Sequence, residues 1–182
     1  MDEKEGKHLT GLVHIYTGEG KGKTTSAVGL AIRAVGNNLR VLMVQFLKGA
    51  ETGETAILQK LEPNFKLCRA EETNFLWNLN GEQRRGLREN TEALLNYSLQ
   101  LVDSEDWDVF IMDEVMGAIL TGFISKKTIV QFLKNKPQKL EVVMTGSYAP
   151  KELIEMADYV SDITPVKHPF RKGIVGRKGI EF

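Results

Sequence analysis

The residues with the clearest chemical potential lie in a Gly- and Lys-rich segment, TGEGKGKTT, at residues 17–25. The segment follows a short apolar run and precedes a helical pattern. Glycines let successive backbone N–H groups point inward, and such a nest at a helix N-terminus binds phosphate oxygens. Lys23 is expected to contact the terminal phosphates of a nucleotide, and the Thr24 hydroxyl is expected to ligate Mg²⁺. We predict nucleotide binding by Gly18, Glu19, Gly20, Lys21, Gly22, Lys23, Thr24 and Thr25.

This segment is a variant of the usual phosphate loop, because Thr17 stands where the pattern has its first glycine. The alternative is a solvated Gly/Lys turn that binds no ligand. The strand–loop–helix context favours the phosphate loop, since phosphate binding requires that arrangement.

A second candidate site follows the apolar run VFIM at residues 109–112, which ends in Asp113 and Glu114. An acid at the end of such a strand positions Mg²⁺ in phosphate-loop enzymes, directly or through water. Glu114 is then a base, a water-positioning residue or a ligand-binding carboxylate. The alternative is a solvated pair that caps the next turn. The two motifs together indicate the ligand and leave the reaction open, because kinases, NTPases and group-transfer enzymes share them.

Six short apolar runs are predicted to be strands, because most are rich in β-branched residues and end at Gly, Asp or Pro. Runs that are apolar on both faces favour a mostly parallel sheet with helices on both sides. The predicted strands are Leu12–Tyr16, Val41–Phe46, Phe65–Cys68, Val109–Met112, Val142–Thr145 and Tyr159–Val160, the last continuing towards Val166.

Helical patterns lie between the strands, which gives an open α/β fold. No repeat, low-complexity tract or linker is evident, so residues 1–182 are expected to form a single domain. In such a sheet the site lies beyond the carboxyl ends of the strands. Three irregular regions follow strands there, namely Lys48–Glu54, Glu71–Gly81 and the tail from Lys167. The predicted helices are Thr24–Val35, Glu82–Val102, Lys126–Lys134 and Pro150–Ala157.

The composition is that of an ordinary globular protein, with 42% hydrophobic and 26% charged residues. Lys and Arg total 24, as do Asp and Glu, and this balance argues against nonspecific nucleic-acid binding. The single cysteine, Cys68, cannot form an internal disulfide and is expected to be a buried strand thiol. The charged N-terminus lacks a secretory signal and no apolar run suits a membrane span, so we expect a soluble cytoplasmic protein.

Several strings keep a fixed order along nearly the whole chain, from about Gly11 to Phe182. They are GEGKGKTT at 18–25, QFLKG at 45–49 followed by Gly53-Glu54, Met112-Asp113-Glu114, Thr145-Gly146, Ala157-Asp158, VKHP at 166–169 and GIEF at 179–182. In these strings the chain resembles the P-loop family of ATP:corrinoid adenosyltransferases. The loop with its extra Lys21 and the VKHP and GIEF strings are specific in combination. The resemblance implies a P-loop NTPase-like, RecA-like sheet flanked by helices on both faces.

The resemblance also implies an unusual use of ATP. The cobalt(I) of a reduced corrinoid attacks the 5′ carbon of the ribose and displaces the whole tripolyphosphate. Lys21, Lys23, the loop amides and Mg²⁺ held by Thr24 and Asp113 would stabilise the departing charge. No protein nucleophile is needed, because the cobalt is the nucleophile.

Family positions imply ligand contacts for four further residues. Glu114 is similar to a carboxylate near the ribose and is counted with Lys21 and Lys23 as catalytic. Arg33 matches a helix arginine near the nucleotide, and its alternative is a solvated helix charge. Gln45 and Lys48 lie where the second strand meets the ligand-side loop, although Gln45 could satisfy only loop backbone.

Phe75 and Trp77 resemble an aromatic pair that lies against the corrinoid. Apolar rings crowding that face would displace the lower ligand of cobalt(II) and make its reduction easier. The alternative is two aromatic residues that fill the core under the long helix. The resemblance further implies a transient flavoprotein-type reductant, since the chain has no redox motif, and a homodimer.

The chain departs from the family pattern at Ser147, where members often have Arg, so one nucleotide contact is missing or supplied by another group. Few residues precede the first predicted strand, whereas longer members carry an N-terminal helix over the site. We therefore expect weaker closure or a contribution from a second subunit. His168 is expected to belong to a loop near the nucleotide or to be structural, and not to ligate cobalt. The tail's basic cluster meets the phosphates, the corrinoid rim or only solvent; it comprises Lys167, Arg171, Lys172, Arg177 and Lys178.

Two rival functions remain at this point. A generic ATPase or small-molecule kinase would release ADP or phosphate. A corrinoid- or nucleotide-binding regulator would bind its ligands without forming a cobalt–carbon bond.

Overall fold

The structure, a computed structural model, describes residues 10–48, 52–69 and 79–181. Its strands are β1 (Val13–Thr17), β2 (Val41–Gln45), β3 (Phe65–Arg69), β4 (Val109–Asp113), β5 (Glu141–Thr145) and β6 (Tyr159–Asp162). They form one sheet in the order β3-β2-β4-β5-β1-β6, and every neighbouring pair is parallel. The predicted strands and the parallel α/β sheet are confirmed, with small shifts at the strand ends.

Helices connect the strands and lie on both faces of the sheet. They are α1 (Lys23–Val35), α2 (Gly53–Leu58), α3 (Gly81–Ser104), α4 (Val115–Leu120), α5 (Lys126–Asn135) and α6 (Lys151–Met156). The sequence predicts α1, α3, α5 and α6. It does not predict α2 and α4, because six residues show little 3.6-residue periodicity; α6 is as short, but Pro150 marks its first turn. No helix in the described ranges is both long and apolar enough to cross a membrane.

The sheet has a hydrophobic core on each face. Leu42 and Val44 of β2 belong to one core and Val41 and Met43 to the other, because successive side chains of a strand point to opposite faces. Both faces are covered, and this explains why the four β2 residues before Gln45 are all apolar. Helix α1 packs closely on its face through three small buried residues, Ala27, Ala31 and Ala34.

The longest helix, α3, begins at a capping box. The Asn80 side chain accepts a hydrogen bond from the Gln83 backbone N–H, and the Gln83 side chain accepts one from the Asn80 N–H. This exchange satisfies two donors that the first turn leaves unpaired. The end of α3 covers Trp107, whose indole N–H donates to the Leu101 carbonyl.

The two outer strands differ in burial. On β3, Cys68 is 7% exposed, as predicted, and burial raises the pKa of its thiol. At the other edge β6 is exposed along its whole length and pairs with β1. The end of β6 nevertheless supports the candidate site, because the residues after it contact the phosphate loop.

Candidate active site

Four loops meet at the carboxyl edge of the sheet. The Gly-rich segment follows β1, Lys48 comes shortly after β2, Asp113 ends β4 and Thr145 ends β5. The strand order places β2, β4, β5 and β1 side by side, so these residues converge at one edge. This is where parallel α/β sheets carry their ligands.

The Gly-rich segment packs closely against the end of β6. The Gly20 N–H donates to the Ile163 carbonyl at 2.7 Å. A Cβ atom on Gly20 would lie 2.5 Å from that carbonyl oxygen, and one on Gly18 would lie 2.3 Å from Asp162 Oδ1. Gly18 also has a φ of +96°, a conformation that favours glycine. Glycine is therefore required at both positions for the loop to fit against β6.

Lys23 lies within the arc of the loop at the start of α1. Its Nζ donates to the carbonyl oxygens of Gly18 at 2.7 Å and Gly20 at 2.8 Å. Gly22, with a φ of +121°, precedes the helix. The first turn of a helix leaves backbone N–H groups without intrahelical partners, so this end of α1, with the lysine ammonium on the loop beside it, suits an anion.

Asp113 is the centre of a buried polar cluster and is 0% exposed. Its Oδ1 accepts hydrogen bonds from the hydroxyls of Thr24 (3.0 Å) and Thr145 (2.6 Å). Its Oδ2 accepts from the Gln45 amide (3.1 Å) and the Lys48 ammonium (2.6 Å). Four side chains, from α1, the end of β2, the loop after β2 and the end of β5, therefore hold this carboxylate in one orientation.

The oxygen atoms at Asp113 and Thr24 suit a magnesium ion as ligands. Mg²⁺ prefers oxygen ligands, and the Thr24 hydroxyl and the Asp113 carboxylate lie 3.0 Å apart. Beside them Gln45 Oε1 is buried without a hydrogen-bond partner among the described residues. A buried acceptor without a donor is costly, and a water molecule on a metal ion would supply one.

Glu114 directly follows Asp113 and has a left-handed backbone, with a φ of +60°. Its backbone N–H donates to the Thr145 hydroxyl at 2.9 Å, and this bond fixes the turn. Burial, and then the neighbouring charge of Asp113, raise the pKa of the Glu114 carboxyl, while Lys48 and Lys23 oppose the shift. Because Asp113 is fully buried and Glu114 half-buried, the alternative of a solvated acidic pair is wrong.

Several predicted site residues lie apart from this cluster. Arg33 is exposed in the last turn of α1, and its ten-residue separation from Lys23 spans about 15 Å of helix. Thr25 is exposed in the first turn. The exposed Glu19 accepts a hydrogen bond from the Tyr148 hydroxyl. Phe75 and Trp77 lie outside the described residues, so their expected contact with a corrinoid remains a prediction.

Lys21 points towards the chain's tail and not into the loop. Its Nζ lies 3.1 Å from Glu181 Oε1, and its side chain is 50% exposed. Arg177 donates to the same carboxylate through its backbone and guanidinium, and these bonds lower the pKa of Glu181 to about 2. The predicted catalytic role of Lys21 therefore requires it to leave Glu181 when phosphate binds.

The rest of the tail lies beside the loop. A cavity of about 500 Å³ opens next to Gly20 and Lys21, and residues 163–170 and 174–177 line most of it. His168 accepts a hydrogen bond from the Phe170 N–H, which is a structural role. The five basic residues of the tail cluster are all exposed.

The sequence predicts no role for Thr145 or Ser147. Thr145 connects Asp113 to the Glu114 backbone. Its signal was present in the sequence, since a polar residue ends an apolar strand at the edge that carries Asp113. Ser147, where the family often has arginine, donates to the Gly18 carbonyl at 3.2 Å and so supports the phosphate loop.

Comparison with known proteins identifies the family to which the chain belongs. The family model described as ATP:corrinoid adenosyltransferase BtuR/CobO/CobP matches residues 9–182. A protein named corrinoid adenosyltransferase from Pseudomonas aeruginosa is 33% identical over 185 residues, covering 100% of this chain and 90% of its own length. One of the same name from Escherichia coli K12 is 31% identical over 94% of this chain and 86% of its own length. A corrinoid adenosyltransferase from Salmonella typhimurium is 30% identical with the same coverage. Matches of this extent show that the chain belongs to the ATP:corrinoid adenosyltransferase family.

Proposed function

We propose that the protein transfers the 5′-deoxyadenosyl group of ATP to the cobalt(I) of a corrinoid and releases tripolyphosphate. The observation that carries this proposal is the cluster of Lys23, Thr24, Asp113 and Thr145 at one point of the carboxyl edge, in a chain of this family. In the transfer a cobalt–carbon bond forms and the bond from C5′ to the triphosphate oxygen breaks. The electron pair of that bond leaves with the tripolyphosphate, and the cobalt is oxidised from cobalt(I) to cobalt(III).

The phosphate loop would stabilise the leaving group. Lys23 donates to two loop carbonyls, and phosphate oxygens offer it stronger, charge-assisted acceptors in the same region. The backbone amides from Gly20 to Thr25 add donors at the helix N-terminus. Thr24 and Asp113 would hold Mg²⁺, whose charge helps to neutralise the triphosphate. Lys21 would add a second ammonium once it is released from Glu181.

Glu114 would hold the ribose. Its carboxyl is half-buried beside the start of α4, and a Cβ on Gly117 would lie 3.4 Å from its Oε2. A partly desolvated carboxylate forms strong hydrogen bonds to hydroxyl groups. Such bonds would align the 5′ carbon with the cobalt, and alignment of two reactants is a large source of rate enhancement. We place Glu114 in this orienting role.

The proposal also covers the reductant, the oligomeric state, the cellular location and the domain organisation. A transient flavoprotein-type reductant would supply cobalt(I), with Phe75 and Trp77 against the corrinoid to ease the reduction. We also propose a homodimer, a cytoplasmic location and one catalytic domain over residues 1–182. The family resemblance supports the homodimer, and the single sheet with helices on both faces supports the single domain.

A product assay tests the reaction. The protein is incubated with MgATP, a corrinoid and a strong chemical reductant, and the corrinoid spectrum and phosphate products are followed. We expect one tripolyphosphate for each new cobalt–carbon bond. ADP or orthophosphate without that bond would favour an ATPase or kinase, and ligand binding with neither product would favour a regulator.

Replacing the loop lysine tests the site. Lys23→Ala removes the ammonium that faces the departing triphosphate, so we expect kcat to fall by about a hundredfold or more. The exposed Lys127→Ala on α5 is the matched control and should retain wild-type turnover. Equal turnover in the two variants would contradict the assignment of the loop.

A further inference from the structure

Lys48 occupies a specific position in the Asp113 cluster. Its Nζ lies 2.6 Å from Asp113 Oδ2 and 3.1 Å from Thr24 Oγ1. These two residues are the ones that we assign to Mg²⁺. The Lys48 side chain is 20% exposed and Asp113 is 0% exposed, so the ion pair is largely shielded from water.

The Asp113 carboxylate has no acceptor position left for another cation. A carboxylate offers about four lone pairs, and four protein donors engage this one. A metal ion therefore has to replace one of these donors before it reaches an oxygen of Asp113. The repulsion between two cations at this distance selects the charged donor, Lys48, as the group that leaves.

The chain also makes Lys48 the most easily displaced donor. Thr24 is in α1, and Gln45 and Thr145 end strands of the sheet. Lys48 lies in the loop beyond β2, after Leu47, and carries its ammonium on a flexible four-carbon stem. The stem can rotate without moving the sheet.

We propose that Lys48 is a resident counter-ion that exchanges with Mg²⁺ at Asp113. Lys48 neutralises the carboxylate and orients Thr24 in the nucleotide-free protein. When Mg²⁺ arrives with a triphosphate, the Lys48 ammonium moves from Asp113 to the phosphate oxygens. This inference deepens the proposed function and rests on the assignment of the Mg²⁺ site within it.

The exchange couples metal binding to triphosphate binding. Mg²⁺ alone has to break the ion pair of Lys48 with Asp113 without supplying an anion in return, which makes metal binding weak. A triphosphate supplies an anion for the displaced ammonium, so each ligand increases the affinity for the other. Lys48 is thus a positioning residue that limits metal binding to the substrate-bound protein.

The experiment measures metal binding without corrinoid or turnover. Mn²⁺, which replaces Mg²⁺ at oxygen sites and is visible by electron paramagnetic resonance, is titrated into wild type, Lys48→Met and Lys48→Arg. The methionine keeps an unbranched stem and removes the charge, whereas arginine keeps the charge. In the absence of nucleotide we expect Lys48→Met to bind Mn²⁺ about tenfold more tightly than wild type, and Lys48→Arg to bind as weakly as wild type.

A second titration uses inorganic tripolyphosphate as the anion. Tripolyphosphate should tighten Mn²⁺ binding to wild type by about tenfold, and this enhancement should shrink in Lys48→Met. The wild-type measurement stands even where a variant fails to fold. Absence of the enhancement in wild type, or equal nucleotide-free affinity in wild type and a folded Lys48→Met, would overturn the exchange. The proposed function fails separately, through the product assay on the wild-type protein.

Discussion

Thr145→Val is the substitution whose effect follows most directly from the structure. The Thr145 side chain is fully buried. Its hydroxyl donates to Asp113 Oδ1 at 2.6 Å and accepts from the Glu114 N–H at 2.9 Å. Valine has nearly the same shape, so it removes both hydrogen bonds with little change in volume. A methyl group then faces a buried carboxylate and a backbone donor.

The magnitude follows from these two contacts. A hydrogen bond to a charged group contributes about 1.5–3 kcal/mol to stability, and leaving a buried donor unpaired costs about 1–3 kcal/mol. Asp113 keeps three other donors and the Glu114 N–H is only partly buried, so we take the lower end of each range. The expected loss is about 2.5 kcal/mol. For a chain of this size that loss lowers Tm by about 5–10 °C.

Thr145→Ser is the matched control, because it keeps the hydroxyl and loses only the buried methyl group. The loss of one methyl group costs about 1 kcal/mol. Denaturant unfolding of the three proteins at neutral pH measures the difference. We expect the serine variant to be more stable than the valine variant by about 1.5 kcal/mol. A valine variant as stable as the serine variant would show that the Thr145 hydroxyl contributes nothing to the cluster.

Three other predictions concern separate parts of the site. Glu114→Gln should be more stable than wild type at neutral pH, because a raised pKa means that the ionised carboxylate costs stability once the pH exceeds the folded pKa. That advantage should disappear as the pH falls through the raised pKa to the ordinary value of 4.5, and unfolding across this range checks it. The Glu181 carboxyl, whose pKa is about 2, should stay ionised down to about pH 4 in ¹³C NMR, and a midpoint near 4.5 would exclude the contact with Arg177. This lowered pKa supports the tail above pH 4.5, and the support is lost as the pH falls towards 2. Trp77→Ala should slow cobalt(II) reduction and leave ATP binding nearly unchanged; equal loss of both would indicate a core residue, as the buried Trp107 is.

The fold could be predicted from the sequence because its signals are local. The first four β2 residues, for example, are all apolar, which is typical of a strand covered on both faces. The proximity of Thr24 to Asp113 could also be predicted from the sequence, because the carboxyl ends of parallel strands share one edge of the sheet. Both arguments use only positions along the chain and the geometry of a sheet.

Side-chain partners that are distant in the chain could not be predicted in this way. Lys21 resembles a phosphate ligand in its sequence context, yet its carboxylate partner, Glu181, is 160 residues away. The Lys48 contact with Asp113 depends likewise on a flexible side chain that crosses between two loops. No local pattern specifies such pairs, because they arise from how the ends of different strands meet.

The backbone conformation at the site could not be predicted from the sequence either. Leu47, Glu114 and Tyr148 have left-handed φ values of +57°, +60° and +60°, and each lies just beyond the carboxyl end of a central strand. This conformation costs a non-glycine residue roughly 1–2 kcal/mol, so a sequence containing Leu, Glu and Tyr gives no reason to expect it.

In each of the three turns the left-handed backbone helps to bring a side chain to the site. The turn at Leu47 precedes the lysine that reaches Asp113, and the turn at Glu114 places a carboxyl beside α4. The turn at Tyr148 lets its hydroxyl reach Glu19 of the phosphate loop. Regular helical or extended backbone would direct these side chains elsewhere. Hydrogen bonds such as that from the Glu114 N–H to Thr145 offset the cost. The fold thus concentrates its backbone strain at the edge where we place the reaction, and strain of this kind persists only where the surrounding contacts enforce it.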